Sequence, residues 1–102
     1  MTQYVLAYVG RGQPATPEEG AEMKKKWGEW MRGLGAAIVN PGMPLGATKT
    51  VGADGVRDGG SSQLTGFTIV EAESMDAALA MAKDCPFLKY GVLEVSQAMQ
   101  MQ

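Results

Sequence analysis

The chain has 102 residues, which is enough for one domain spanning residues 1–102. Its net charge of −2 lacks the basic excess of nucleic-acid-binding proteins, and it contains no histidine, the commonest acid–base catalyst and metal ligand. Cys85 is the single cysteine, so no internal disulfide forms, and no apolar run approaches the roughly 18 residues that cross a membrane. We therefore predict a cytoplasmic protein with no cofactor, no metal, no nucleic-acid partner and no membrane contact.

The first 35 residues carry the signals of a strand and a helix. Residues 3–10, QYVLAYVG, are rich in tyrosine and valine and end at a glycine, which predicts a strand. A helix is predicted over residues 17–34. Thr16 suits its N-cap, Glu19 stands three residues later as in a capping box, and Gly35 suits its end. The apolar residues of this helix form one stripe, which comprises Met23, Trp27, Trp30, Met31 and Leu34.

The middle of the chain is rich in extended and turn-forming segments. A short strand is predicted at residues 36–39, followed by a loop at 40–46 that two prolines stiffen. Extended structure resumes at 47–51. Residues 52–62 hold two Asp-Gly pairs and predict a turn-rich connection. The strongest strand pattern, QLTGFTIVEA, follows at 63–72.

The last third of the chain completes an α+β pattern. A second helix is predicted over residues 75–85, capped by Ser74 and ended by Pro86, and a last strand over 90–96. The order strand, helix, strand, strand, helix, strand is that of the ferredoxin-like βαββαβ fold. In this fold, two helices lie on one face of a four-stranded antiparallel sheet.

The predicted strands are apolar on both faces, although two helices can cover only one. In the first strand, Leu6 and Tyr8 point one way and Ala7 and Val9 the other. An uncovered sheet face of this kind would be a large exposed apolar patch, which soluble monomers avoid. A second copy packed sheet to sheet would cover it, so we predict a homodimer with two-fold symmetry.

Asp58, Ser61 and Ser62 lie in the most unusual stretch of the chain, DGGSSQ. Glycine amides and serine hydroxyls in such a stretch could bind a phosphate or carboxylate. The alternative is a flexible connection between two strands, in which glycine and serine tolerate turn geometry. The second interpretation is favoured, because phosphate-binding loops normally open a helix and this stretch opens a strand.

Four further residues are candidates for a ligand pocket. Trp27 could stack on a planar ligand, although its place on the apolar stripe favours core packing. Tyr8 could act as a proton donor, Lys49 as an anchor for a carboxylate, and Asn40 is a polar group beside a strand. The alternative for these polar residues is solvation at a sheet edge or a hydrogen bond at an interface.

The chain resembles the YCII-related family, also called the DGPF-domain family, of the dimeric α+β barrel superfamily. The segments that carry the resemblance are TPEEGAEMKKKWGEWMRGLGAAIVNPG, TKTV, QLTGFTIVEAESMDAALAMAKDCP and YGVLEVSQAM. The resemblance implies a small bacterial protein, a dimer and a fold shared with that superfamily. Most members have no assigned activity, and the few with a proposed chemistry are described as small-molecule enzymes that use a His–Asp pair.

This sequence departs from the family pattern at two places. Where relatives often end the first strand with histidine, this chain has Tyr8 and Val9. Where the family has Asp-Gly-Pro-Phe, this chain has the segment 58–61, Asp-Gly-Gly-Ser. A histidine-dependent mechanism therefore cannot be carried over from the resemblance.

Three hypotheses of function follow. The favoured one is a cofactor-free dimer with a cavity between sheet and helices that binds a small organic molecule. The second is a lyase, isomerase or oxygenase that acts on a small molecule without a histidine. The third is a purely structural or partner-binding dimer, since the fold alone does not choose among these functions.

Overall fold

The computed structural model describes residues 1–10, 12–60 and 63–100. Its strands and helices follow the predicted order, and one hairpin is added between the second and third predicted strands. The elements are β1 Thr2–Val9, α1 Pro17–Leu34, β2 Ile38–Asn40, β3 Lys49–Gly52, β4 Gly55–Asp58, β5 Leu64–Ala72, α2 Met75–Ala82 and β6 Val92–Gln97. In the described part of the chain, neither helix is long and apolar enough to cross a membrane.

Four strands form one antiparallel sheet in the order β2-β5-β1-β6. The central pair is β1 and β5, whose register places Leu6 opposite Thr68 and Tyr8 opposite Gly66. Leu6 and Thr68 are fully buried, and the core there includes Trp30 of α1 and Ala78 of α2. Both helices therefore pack on one sheet face, which confirms the predicted ferredoxin-like α+β fold.

Helix α1 begins and ends where the sequence predicts. The Thr16 hydroxyl accepts a hydrogen bond from the Glu19 main-chain N–H at 3.1 Å, and the helix ends before Gly35. Pro17 occupies the first turn, where its missing N–H leaves no helical hydrogen bond unmade. These capping signals act on neighbouring residues, so they do not depend on how the rest of the chain folds.

The prediction that residues 52–62 form only a turn-rich connection was wrong. Strands β3 and β4 form a separate two-stranded hairpin, in which Gly52 pairs with Gly55 across a two-residue turn. The turn residues are Ala53 and Asp54, and Gly55, which opens β4, has a φ of 142°, which suits glycine. The extended segment predicted at 47–51 is thus one arm of this hairpin and is not part of the main sheet.

Other boundaries also differ from the prediction, and the last strand begins at Val92 and not at residue 90. The strand expected at 36–39 begins later, at Ile38, because Gly35–Ala37 form a short 3-10 turn. Helix α2 ends at Ala82 and not at residue 85, and a second 3-10 turn, Pro86–Lys89, follows it.

The sheet face opposite the helices carries apolar side chains. Val5, Ala7, Phe67 and Ile69 are half-buried there, and Val92 is 55% exposed. Neither helix covers these residues, because both helices lie on the other face. The second apolar face inferred from strand alternation is therefore present in the structure.

Glu19 ties the start of α1 to the segment before β6. Its carboxylate accepts hydrogen bonds from the Tyr90 hydroxyl at 2.7 Å and the Ala15 N–H at 3.1 Å, and it pairs with the Lys89 ammonium at 3.0 Å. All three groups favour the charged form. The hydrogen bond from Tyr90, followed by those from Lys89 and Ala15, lowers the pKa of Glu19 to about 2.

Replacing Glu19 should therefore change how the protein responds to acid. Because its folded-state pKa lies below the ordinary 4.5, the Glu19 carboxylate contributes stability that is present above about pH 4.5 and is lost as the pH falls towards about 2. In Glu19→Gln, the free energy of unfolding should fall less steeply over this range than in the wild type. Denaturant melts at several pH values measure the slope.

The matched control is Glu22→Gln, which removes the same charge from the same helix. Among the described residues, Glu22 forms one ion pair, with the exposed Lys26 one turn away at 3.3 Å, and such pairs contribute little to stability. Its acid slope should stay close to that of the wild type. Equal slopes for the wild type and Glu19→Gln would show that Tyr90 and Lys89 do not hold this carboxylate in solution.

Candidate ligand cavity

A cavity of about 460 Å³ lies where α1, β1 and β5 meet the loop at residues 41–44. Its lining comprises Tyr8, Trp27, Met31, Pro41, Gly42, Met43, Pro44, Thr65, Gly66, Phe67 and Phe87. The volume falls within the range of sites for small molecules and cofactors, and the wall is mainly aromatic and apolar. The cavity is partly open, so a ligand can enter it from solvent.

Aromatic rings form one side of the cavity. The ring centroids of Tyr8 and Trp27 lie 5.2 Å apart with the rings tilted by 68°, and those of Tyr8 and Phe87 lie 5.4 Å apart. Trp27 also contacts Trp30 edge to face at 5.4 Å. The Trp30 indole donates to the Met81 carbonyl at 3.0 Å, so Trp30 belongs to the core while Trp27 remains half-buried in the wall.

The loop at 41–44 forms another side and is held by its own local structure. The Asn40 side-chain oxygen accepts a hydrogen bond from the Gly42 N–H at 2.8 Å. Gly42 has a φ of 77°, and a β-carbon there would lie 1.6 Å from the Phe67 carbonyl oxygen. Only glycine allows the loop to approach β5 this closely.

Backbone pairing continues the same loop along the edge of β5. Pro44 forms an isolated bridge with Gly66, and the Leu45 N–H donates to the Thr65 carbonyl at 2.9 Å. These contacts follow the end of the short strand β2, which pairs with β5 at Ile69 and Val70. The loop therefore takes the place of an edge strand and leaves space for the cavity.

Three hydroxyl groups lie in or beside the cavity wall, those of Tyr8, Thr65 and Thr68. The Tyr8 hydroxyl lies 2.5 Å from the Thr68 hydroxyl, which donates to the Pro41 carbonyl at 3.0 Å. The Thr65 hydroxyl donates to the Tyr8 main-chain carbonyl at 3.2 Å. Burial raises the pKa of Tyr8 far above its usual value. Tyr8 is therefore neutral at physiological pH.

The structure brings together two of the residues singled out in the sequence, Tyr8 and Trp27, which both line the cavity. Asn40 is exposed and does not line the cavity. Its side chain accepts a hydrogen bond from Gly42, which does line it. Lys49 and Asp58 lie on the hairpin outside the lining, where they form an exposed ion pair with each other at 2.5 Å. Their separation from the cavity follows from the hairpin, which carries both residues away on paired strands.

Ser61 and Ser62 lie outside the described residues, so the structure does not test the anion-binding interpretation at these positions. The neighbouring Gly59 N–H is already used, because it donates to the Thr48 carbonyl at 2.9 Å. The Gly59 carbonyl accepts from the Thr50 hydroxyl at 2.6 Å. These bonds close the base of the hairpin.

Sequence reasoning did not identify Thr65, Met31 or Phe87 as cavity residues, nor Thr68 as the buried partner of Tyr8 beside the cavity. Met31 belongs to the predicted apolar stripe, so its closeness to Trp27 was a usable signal. Thr68 could be found only with the register of β1 and β5, because it lies sixty positions from Tyr8 in the chain. Among the described residues, no cluster of three or more cysteine, aspartate or glutamate side chains could hold a metal ion.

Two comparisons with known proteins bear on this chain. A family model described as the YCII-related domain matches residues 3–102. The solved structure of 5-chloro-2-hydroxyhydroquinone dehydrochlorinase (TftG) from Burkholderia phenoliruptrix AC1100, in complex with 2,5-dihydroxybenzoquinone, is similar with a TM-score of 0.60. The two chains are 22% identical, and the match covers 97% of this chain and 95% of that chain. This likeness shows the shared fold. The search of curated proteins found no match.

Substitution of Gly42 tests the close approach of the loop to β5. Gly42→Ala should destabilise the protein by at least about 2 kcal/mol, because it combines an unfavourable φ with a clash against the Phe67 backbone. Gly46→Ala is the matched control in the same loop, since a β-carbon there meets nothing within 4 Å. Thermal or denaturant unfolding measures both variants. Equal stability for the two would contradict the described packing of the loop.

Proposed function

The chain belongs to the YCII-related family, and from that premise we propose that it binds a small uncharged organic molecule in the cavity between α1 and the sheet. The observation that carries this proposal is the chemistry of the wall. In the described part of the chain, the lining contains one titratable side chain, Tyr8, and that side chain is neutral at physiological pH. The other lining residues are aromatic, apolar, glycine or threonine.

Such a wall favours a flat, apolar ligand. Aromatic rings gain from edge-to-face and offset contacts, and Trp27 and Phe87 both approach Tyr8 in tilted arrangements. A charged ligand would lose its hydration without meeting an opposite charge from the described lining, which is unfavourable. The proposal therefore names an uncharged aromatic or similarly planar molecule.

A second candidate is an enzyme that acts on such a ring. The fold neighbour TftG is a dehydrochlorinase, and its structure contains 2,5-dihydroxybenzoquinone. In this chain, Tyr8 is a poor general base, because its raised pKa keeps its proton bound. Release of chloride from 5-chloro-2-hydroxyhydroquinone by the wild type, lost in Tyr8→Phe, would favour this second candidate over binding alone.

We also propose that a second copy covers the open sheet face. Half-buried Val5, Ala7, Phe67 and Ile69 form an apolar centre on this face, and exposed Glu94 lies beside Ala7 in the register of β1 and β6. Burying about 600–800 Å² on each copy would be typical of a specific interface. The cytoplasmic location and the independence from cofactors stay predictions.

Ligand binding can be tested with 2-naphthol, a neutral planar probe. Isothermal titration calorimetry should detect binding to the wild type, and Met31→Ala should weaken it by about tenfold because an apolar wall contact is lost. Met75→Ala is the matched control, since Met75 lies at the start of α2 and outside the cavity. Equal weakening in both variants would place the binding site elsewhere, and no binding by the wild type would favour a purely structural role.

The dimer can be tested by sedimentation. The wild type should have about twice the 10.8 kDa mass of the chain, and Ile69→Glu should shift it towards the monomer by placing a charge in the apolar centre. Val51→Glu is the control, because Val51 lies on the hairpin and is already 77% exposed. A well-folded wild-type monomer at micromolar concentration would contradict the proposal.

A further inference from the structure

The hydroxyl groups of the cavity are arranged with a fixed direction. From this arrangement we infer that the cavity selects ligands that donate a hydrogen bond, such as a neutral hydroxyl or N–H group, and that Thr68 is the residue that sets this selectivity. The inference names the ligand class for the cavity already described, so it rests on the proposed function. It assigns Tyr8 the role of acceptor, whereas the sequence suggested a proton donor.

The direction follows from the last member of the hydrogen-bonded chain. The Pro41 carbonyl oxygen, 3.0 Å from the Thr68 hydroxyl, can only accept. A threonine hydroxyl has one proton, so Thr68 donates that proton to Pro41. The remaining capacity of the Thr68 oxygen is to accept, and its partner at 2.5 Å is the Tyr8 hydroxyl. Tyr8 therefore donates its proton to Thr68 and not to the cavity.

Two other donors near the wall are also used within the protein, the Thr65 hydroxyl and the Gly42 N–H. The Thr65 hydroxyl donates to the Tyr8 carbonyl at 3.2 Å. In the loop, Pro41 and Pro44 have no N–H, and the Gly42 N–H donates to Asn40. What Tyr8 and Thr65 still offer a ligand is their oxygen lone pairs.

Trp27 differs from these residues, because it leaves a hydrogen-bond donor unused. Its indole N–H has no acceptor among the described residues, unlike that of Trp30, which donates to Met81. A hydroxyl group suits both kinds of partner, because it can donate to Tyr8 and accept from Trp27. An ether can accept from Trp27 but has no proton for Tyr8. A ligand with a hydroxyl should therefore bind better than an ether of the same ring.

Thr68 sets this preference because it fixes the direction of the Tyr8 proton. Thr68 is fully buried, and replacing it with valine keeps its shape but removes its oxygen. In Thr68→Val, the Tyr8 hydroxyl loses its internal acceptor and can turn its proton to a ligand. An ether should then gain a donor from Tyr8 that it lacks in the wild type.

The test compares two probes that share one ring system, 2-naphthol and 2-methoxynaphthalene, by isothermal titration calorimetry at neutral pH. The wild type should bind 2-naphthol about tenfold more tightly, which corresponds to one neutral hydrogen bond. Thr68→Val should reduce this ratio to about one or reverse it. Thr68→Ser, which keeps the hydroxyl, should retain the preference.

Two further variants complete the design. Thr50→Val makes the same substitution on the exposed hairpin, where the Thr50 hydroxyl donates to the Gly59 carbonyl, so it should leave the ratio unchanged. Tyr8→Phe removes the acceptor without touching Thr68, and the ratio should again fall to about one. If Thr68→Val does not fold, the affinity ratio measured for Tyr8→Phe tests the inference in its place.

The outcomes separate this inference from the proposed function. Equal binding of the two probes by the wild type, a full preference kept in a folded Thr68→Val, or a full preference kept in Tyr8→Phe would each overturn the inference and leave the cavity as a binding site. No binding of either probe would overturn both. A tenfold preference that both variants abolish supports the inference.

Discussion

The hydrogen-bonded chain from Tyr8 through Thr68 to Pro41 is the interaction on which the cavity depends. It joins β1, β5 and the loop that replaces an edge strand, and these are three of the parts that surround the cavity. Buried hydroxyls are unfavourable unless they are hydrogen-bonded, and here each satisfies the next. The same chain connects the loop to the sheet and fixes the direction of the Tyr8 proton.

The two helices cover only one of the two faces of the sheet. Tyr4, Leu6 and Val70 are buried under the helices, whereas Val5 and Ile69, their neighbours in the same strands, remain half-buried on the open face. Hydrophobic stabilisation is roughly proportional to the apolar area removed from water, so covering the open face would stabilise the protein further. The cavity and the open face are different features that both include Phe67: the first is the proposed site of a small planar molecule, and the second is the proposed contact with a second copy of the chain.

The sequence predicted the parts of this structure that local signals determine. Helix α1 was predicted with its observed bounds because Thr16 and Gly35 act on their immediate neighbours. The second arm of the hairpin was missed because β4 has only four residues, Gly-Val-Arg-Asp, which show no apolar alternation. Trp27 was singled out from its helix stripe, but the role of Thr68 depends on strand register and that of Gly42 on one close backbone approach. Neither constraint is visible in a single sequence.

We propose that an uncharged ring sits against Trp27 and donates a hydrogen bond to Tyr8. A crystal structure of the wild type grown with 2-naphthol is the decisive measurement. We expect the naphthalene ring between Trp27 and the loop at 41–44, with its hydroxyl within hydrogen-bonding distance of the Tyr8 oxygen. A ring bound elsewhere on the protein, or bound in the cavity with its hydroxyl turned away from Tyr8, would contradict it.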